Sequence, residues 1–154
     1  GDITVSSTMI RRLLFEGDFK NVRKFLGRQW SVSGVVQEGK KIGNTIGFPT
    51  MNLEPPVLLP LKKGVFTCQA DIDGKRFNGV CNVGVSPTFN GKTLKVETHL
   101  FDYNEDAYGK LIEVFPVNFL REERKFNSVD ELREQIDKDA EASRQYFKVN
   151  RNPF

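Results

Sequence analysis

The chain has 154 residues, 38% of them hydrophobic and 28% charged, which is enough for one core of ordinary size and one main domain. No apolar run approaches the length of a membrane-spanning helix, and no N-terminal stretch has the charged, apolar and small-residue order of a secretory signal. The net charge of +3 resides in residues 1–30, with six basic and three acidic side chains, while residues 31–154 carry seventeen of each. That neutrality argues against a domain built to follow a nucleic-acid backbone.

Residues 6–16 read as a short helix, with Ser6 or Ser7 as its cap and Met9, Ile10, Leu13 and Leu14 on one face. Gly17 ends it. Asp18 caps a second helix carrying Val22, Phe25 and Leu26, which Gly27 closes. From Trp30 the apolar period becomes extended, and 31–36 reads as a strand. A glycine-containing bend follows, then a strand over 49–53 and a loop marked by Pro55, Pro56 and Pro60. Strands over 65–72 and 76–83 flank Asp73-Gly74, a strong hairpin signal. Asn90-Gly91 is another turn, before strands over 92–101 and 111–119. Ser128 and Glu131 form a capping box opening a helix with Val129, Leu132, Ile136, Ala140, Ser143 and Phe147 on one stripe. Six strands followed by one helix suggest a small closed antiparallel barrel with the helix outside, although pattern alone does not separate a barrel from a sandwich. Cys68 and Cys81 lie in apolar strand patterns, which suggests buried free thiols in a reducing, cytoplasmic compartment rather than a disulfide or a zinc site.

The segment Gly43-Asn44-Thr45-Ile46-Gly47-Phe48-Pro49-Thr50-Met51-Asn52 is the most informative. Its glycines permit close backbone approach to a ligand, and Pro49 directs Phe48 into an extended conformation. In a strand, Thr50 and Asn52 share a face. Their side-chain oxygens are hard donors suited to Mg²⁺ and phosphate. Spacing alone favours a Gly/Pro loop entering a buried strand, since this is neither a Walker A loop nor a dinucleotide fingerprint.

Gly47-Phe48-Pro49-Thr50-Met51-Asn52 resembles the signature of riboflavin kinases, including the kinase module of bacterial bifunctional FAD synthetases. The resemblance continues through Val96-Glu97-Thr98-His99-Leu100-Phe101, Tyr108-Gly109, and Phe119-Leu120-Arg121 to Lys125-Phe126, in order and over roughly residues 30–147. It implies a six-stranded antiparallel Greek-key barrel, to which the residue pattern adds a C-terminal α-helix packed outside and two short N-terminal linker helices. It also implies transfer of the γ-phosphate of Mg-ATP to the ribityl 5′-hydroxyl of riboflavin, giving FMN and ADP. Glu97 corresponds to the proposed base. Thr50 and Asn52 correspond to the Mg²⁺ and phosphate ligands. Gly43, Asn44, Gly47 and Tyr108 join Thr50 and Asn52 in the ATP site, with Asn44 standing where relatives often carry a basic residue. Arg121, Arg124 and Phe126 correspond to the flavin site.

Each of these residues has a plainer reading. Glu97 by pattern is as readily a solvent-facing strand residue, although a carboxylate in an apolar strand is costly to bury unless paired or functional. Residues 121–125 read as a solvated charge run, Phe126 as a staple on the last helix, and Tyr108 as a turn aromatic. His99 shares a face with Glu97 in a regular strand and reads as structural. The segment Val5-Ser6-Ser7-Thr8-Met9-Ile10-Arg11 resembles the last motif of the adenylyltransferase domain that precedes the kinase in FAD synthetases. With five residues before Ser6, residues 1–29 are expected to be a helical remnant of that domain and 30–154 the kinase barrel. The alternative from another class is a non-catalytic flavin- or nucleotide-binding barrel.

Overall fold

The computed structural model describes residues 7–37, 50–55, 59–88 and 91–150. Its elements are α1 (Ser7–Glu16), α2 (Phe19–Leu26), β1 (Val32–Val35), β2 (Met51–Leu53), β3 (Gly64–Ile72), β4 (Lys75–Thr88), β5 (Gly91–Leu100), β6 (Leu111–Glu122) and α3 (Val129–Val149). The local signals act as their chemistry predicts. Asp18 Oδ1 accepts from the Asn21 N–H, and Gly27 at φ 78° donates its N–H to the Arg23 carbonyl. Asp73 and Gly74 both have positive φ, 54° and 73°, as a two-residue hairpin with a right-handed twist requires. Ser128 Oγ accepts from the Glu131 N–H at 3.1 Å.

The six strands form one antiparallel sheet in the order β1-β6-β3-β4-β5-β2. Three consecutive strands, β3 to β5, form a meander, and β6 returns to lie beside β3, which is the Greek-key order. The edge strands meet through the bridge Gln37↔Asn52, so the sheet nearly closes. Strand boundaries differ from the sequence expectation in two useful places. β4 runs on to Thr88, because its pairing with β5 continues to Thr88↔Gly91. β6 runs on to Glu122, because Gly64↔Glu122 and Val65↔Arg121 extend its pairing with β3. Gly64, at φ 154°, permits that extension: a Cβ there would run into the Arg121 carbonyl and lie 2.8 Å from the Phe119 ring.

Alternation divides each strand between two faces. Met51, Leu53, Phe66, Cys68, Cys81, Val83, Val96, Leu100, Ile112 and Val114 fill the barrel interior. The opposite face of β3 and β4 lies under α3, which presents Ala140 and Ser143, and Ser143 Oγ bonds Thr67 Oγ1 at 3.0 Å. The packed stripe of α3 is not quite the expected one. Val129 is 56% exposed at the first turn, whereas Asp139 is buried.

The N-terminal helices seat on the other side. Leu13, Leu14, Phe19 and Val22 belong to the same hydrophobic cluster as the barrel interior. Phe66 joins the two units, its ring meeting Phe19 edge-on at 6.0 Å and Phe119 at 5.2 Å. Among the described residues no helix is long and apolar enough to cross a membrane.

Two predictions follow from this packing. Phe66→Ala is expected to lower the unfolding free energy by about 3–5 kcal/mol, as for other fully buried aromatic deletions, measured by urea denaturation; a loss under about 1 kcal/mol would contradict the seating of the helices on the barrel. Cys68 and Cys81 are both free and buried, and burial, then the hydrogen bond with Cys81, pushes the Cys68 thiol up. A thiol reagent is therefore expected to label them only at the rate of unfolding, and rapid labelling of the native protein would contradict this.

Candidate active site

Register decides which polar side chains share a surface, because directly opposed residues of paired strands point to the same face. Glu97 on β5 lies opposite Asn52 on β2 and opposite Asn82 on β4. Asn82 lies opposite Val65 on β3, and Val65 lies opposite Arg121 on β6. One row, Asn52-Glu97-Asn82-Val65-Arg121, therefore crosses five strands on the outer face of the barrel. Three residues singled out in the sequence, drawn from segments far apart in the chain, stand in it.

Glu97 is half-buried and makes no hydrogen bond or ion pair among the described residues. Asn52 is buried, 5% exposed, and its backbone carbonyl accepts from the Gln37 N–H at 2.7 Å. Thr50 is exposed and precedes β2, which begins at Met51, so the two side chains expected on one strand face differ in environment. Asn82 was not anticipated. Its Oδ1 is buried with no hydrogen-bond partner among the described residues. Thr98 Oγ1 on β5 is likewise buried with no partner among the described residues, and a buried acceptor left unpaired is costly. The sequence signal was an Asn inside the apolar run 77–85, which reads equally well as an ordinary strand polar residue.

Other candidates surround the row. Glu123 reaches back from the end of β6 over Gly84, whose missing Cβ leaves room for the carboxylate. His99, on the same face as Glu97, stacks edge-on against Phe101 with ring centroids 5.7 Å apart. Tyr108 is 62% exposed in the turn before β6, its N–H bonded to Asp106 Oδ1 at 3.0 Å. The next residue, Gly109, donates to the Val36 carbonyl, so Tyr108 sits near the β1–β2 closure rather than in the row. Gly43, Asn44 and Gly47 lie outside the described residues.

The expected flavin segment is held by α3. Arg121 forms a bidentate pair with Asp139, with N···O distances of 2.9 and 2.8 Å. Arg124 bonds Glu131 at 2.5 Å and Gln135 at 3.0 Å. Both guanidinium groups lie over the Phe126 ring, at 5.9 and 4.9 Å from its centroid. Two members of the charge run, Arg121 and Arg124, are thus paired with the helix, while residues 122–125 remain exposed.

As a donor set, Thr50, Asn52, Asn82 and Glu97 offer only oxygen. Among the described residues no cluster of three or more His, Cys, Asp or Glu side chains forms a metal cage. This combination fits a hard cation such as Mg²⁺, which is held through few protein oxygens together with waters and substrate phosphates. A carboxylate between two amides, free of cationic partners among the described residues, can take a proton from a hydroxyl placed against it.

Comparison with known proteins identifies the family of the chain. A family model described as "Flavokinase: Riboflavin kinase" matches residues 26–147. A bifunctional riboflavin kinase/FMN adenylyltransferase from Bacillus subtilis is 40% identical over 95% of this chain and 48% of its own length. One from Haemophilus influenzae is 40% identical over 93% of this chain and 47% of its own length. The chain therefore spans about half the length of the curated relatives it matches. A solved structure described as a macrolide-efflux protein from Streptococcus pneumoniae aligns with a TM-score of 0.82 at 34% identity, over 92% of this chain and 47% of that one. A riboflavin kinase from Trypanosoma brucei shares the fold, with a TM-score of 0.52 at 17% identity over 77% and 79% of the two chains. With the family match running from the end of α2 nearly to the end of α3, the chain belongs to the riboflavin kinase family.

Proposed function

We propose that this chain transfers the γ-phosphate of ATP to the 5′-hydroxyl of riboflavin, giving FMN and ADP, as a cytoplasmic step of flavin cofactor synthesis. The observation that carries this reading is the row in which Glu97 stands between Asn52 and Asn82, with Arg121 at its far end. Phosphoryl transfer needs alignment of the two substrates, neutralisation of the phosphate charge and an acceptor for the hydroxyl proton. Its place in the row and its lack of a cationic partner among the described residues support Glu97 as that acceptor. As the ribityl oxygen bonds to phosphorus and the bond to the ADP oxygen breaks, its proton passes to the Glu97 carboxylate.

Thr50 and Asn52 would hold Mg²⁺, which when bound offsets the charge on the phosphates. Gly43, Asn44, Gly47 and Tyr108 are proposed nucleotide contacts. Arg121, Arg124 and Phe126 are proposed flavin contacts, with Phe126 supplying an apolar surface for the ring. Half-burial of Glu97 supports the choice over a purely solvated strand residue, and the ring contact of His99 with Phe101 supports a structural histidine. The relatives named bifunctional suggest an adenylyltransferase domain as the partner of this kinase domain in a longer chain.

The direct test incubates the protein with riboflavin and Mg-ATP and reads FMN by chromatography; a folded, flavin-binding sample that forms none contradicts the proposal and favours a binding module. Glu97→Gln is expected to lower kcat by roughly two to four orders of magnitude, the range for a positioned base. Turnover at the wild-type rate in that variant would move the proton acceptor elsewhere. Thr50→Ala and Asn52→Ala are expected to raise the Mg²⁺ and ATP concentrations needed for half-maximal rate while the circular dichroism spectrum stays unchanged. An unaltered Mg²⁺ dependence in both would remove them from the metal site.

A further inference from the structure

Helix α3 does more than cover the barrel. Asp139 is buried on it, 6% exposed, and faces the end of β6. Arg121 Nε and Nη2 donate to its two carboxylate oxygens, and Gln135 Nε2 donates to Oδ1 at 3.0 Å. Arg121 Nη1 donates to the Glu122 carbonyl at 3.1 Å. A guanidinium carries five N–H donors. Three are committed among the described residues, leaving one on each Nη. The Arg121 side chain is still 22% exposed, whereas that of Asp139 is 8% exposed.

We propose that Asp139 is a positioning residue for flavin recognition: it locks the Arg121 fork so that the two remaining N–H donors face the carbonyl-bearing edge of the flavin ring. A long, mobile arginine loses much rotamer freedom when it grips a ligand. A bidentate pair to a buried carboxylate removes that freedom before the ligand arrives, which is preorganisation. The pair is poorly explained by stability alone, since buried ion pairs often do no better than apolar residues of similar size. Its location adds weight. One turn earlier on the same helix face, Gln135 bonds both Asp139 and Arg124, so that face orients both arginines around Phe126.

The inference rests on the riboflavin-kinase reading above, and the experiment separates the two. Riboflavin Kd is measured by flavin fluorescence without nucleotide for the wild type, Asp139→Asn, Arg121→Ala and Gln135→Ala, with thermal unfolding as a check on folding. FMN formation is assayed in parallel. We expect the riboflavin Kd to rise about tenfold in Asp139→Asn and Arg121→Ala and about threefold in Gln135→Ala. The KM for Mg-ATP in Asp139→Asn should stay within about twofold of wild type, a split that a merely structural ion pair does not produce. Should Asp139→Asn fail to fold, Gln135→Ala takes its place. An unchanged Kd in the folded Asp139→Asn, or in Gln135→Ala where it substitutes, overturns the proposal, as does an unchanged Kd in Arg121→Ala. Failure of the wild type to form FMN overturns the kinase reading alone, because the Kd comparison needs no turnover.

Discussion

The pairing of β5 with β2 on one side and β4 on the other is the constraint on which the site depends. In that register Val96, Thr98 and Leu100 are buried, while Glu97 and His99 point to the opposite face and are only half-buried. A slip of one residue would exchange the two sets. It would drive a carboxylate into the barrel interior, where an unpaired charge costs many kcal/mol, and would expose Val96 and Leu100. The apolar alternation of β5 therefore does two things at once. It builds the core, and it fixes Glu97 between Asn52 and Asn82.

The far end of the same row depends on different forces. Arg121 belongs to it only because β6 stays paired with β3 past the register shifts at Val65/Phe66 and Thr67/Cys68. Gly64 allows the two backbones to approach there, and Asp139 then takes the guanidinium from the helix side. On the opposite flank, α1 and α2 bury Leu14 and Val22 against the barrel and bring Phe19 to Phe66. Phe66 in turn meets Phe119, two residues before Arg121. The aromatic chain Phe19-Phe66-Phe119 thus braces the strand end that carries the proposed flavin segment, which gives the N-terminal helices a structural connection to it.

Most of the fold could be read from local chemistry, because its punctuation is explicit. Asp73-Gly74, the Asp18 and Ser128 caps and Gly27 each satisfy a defined backbone need, so residue type and structure coincide. Strand ends were less legible. The extents of β4 and β6 are set by partners rather than by their own residues, and pairing is invisible in a single sequence. The same reason explains the site. Asn52 was noticed first through its side-chain chemistry and Glu97 and Arg121 through resemblance, but their placement in one row is a property of register. Asn82 was missed because an asparagine in a strand carries no sign of its burial or of an Oδ1 without a partner among the described residues. Asp139 was missed because a carboxylate in a charged helix reads as solvent-facing until its half-buried arginine partner is seen. Thr50 shows the converse: the alternation that pairs it with Asn52 assumes a strand, and the strand starts one residue later.

The claim at the centre of this account is that one cross-strand row forms the reaction surface. The most direct measurement is an amide NMR titration of the protein with riboflavin and then Mg-ADP. The account predicts the largest shift changes at Asn52, Asn82 and Glu97 and along Arg121 to Phe126, with the Asp73-Gly74 turn and α1 little affected. Changes centred on that turn or on α1, with the row unmoved, would contradict it.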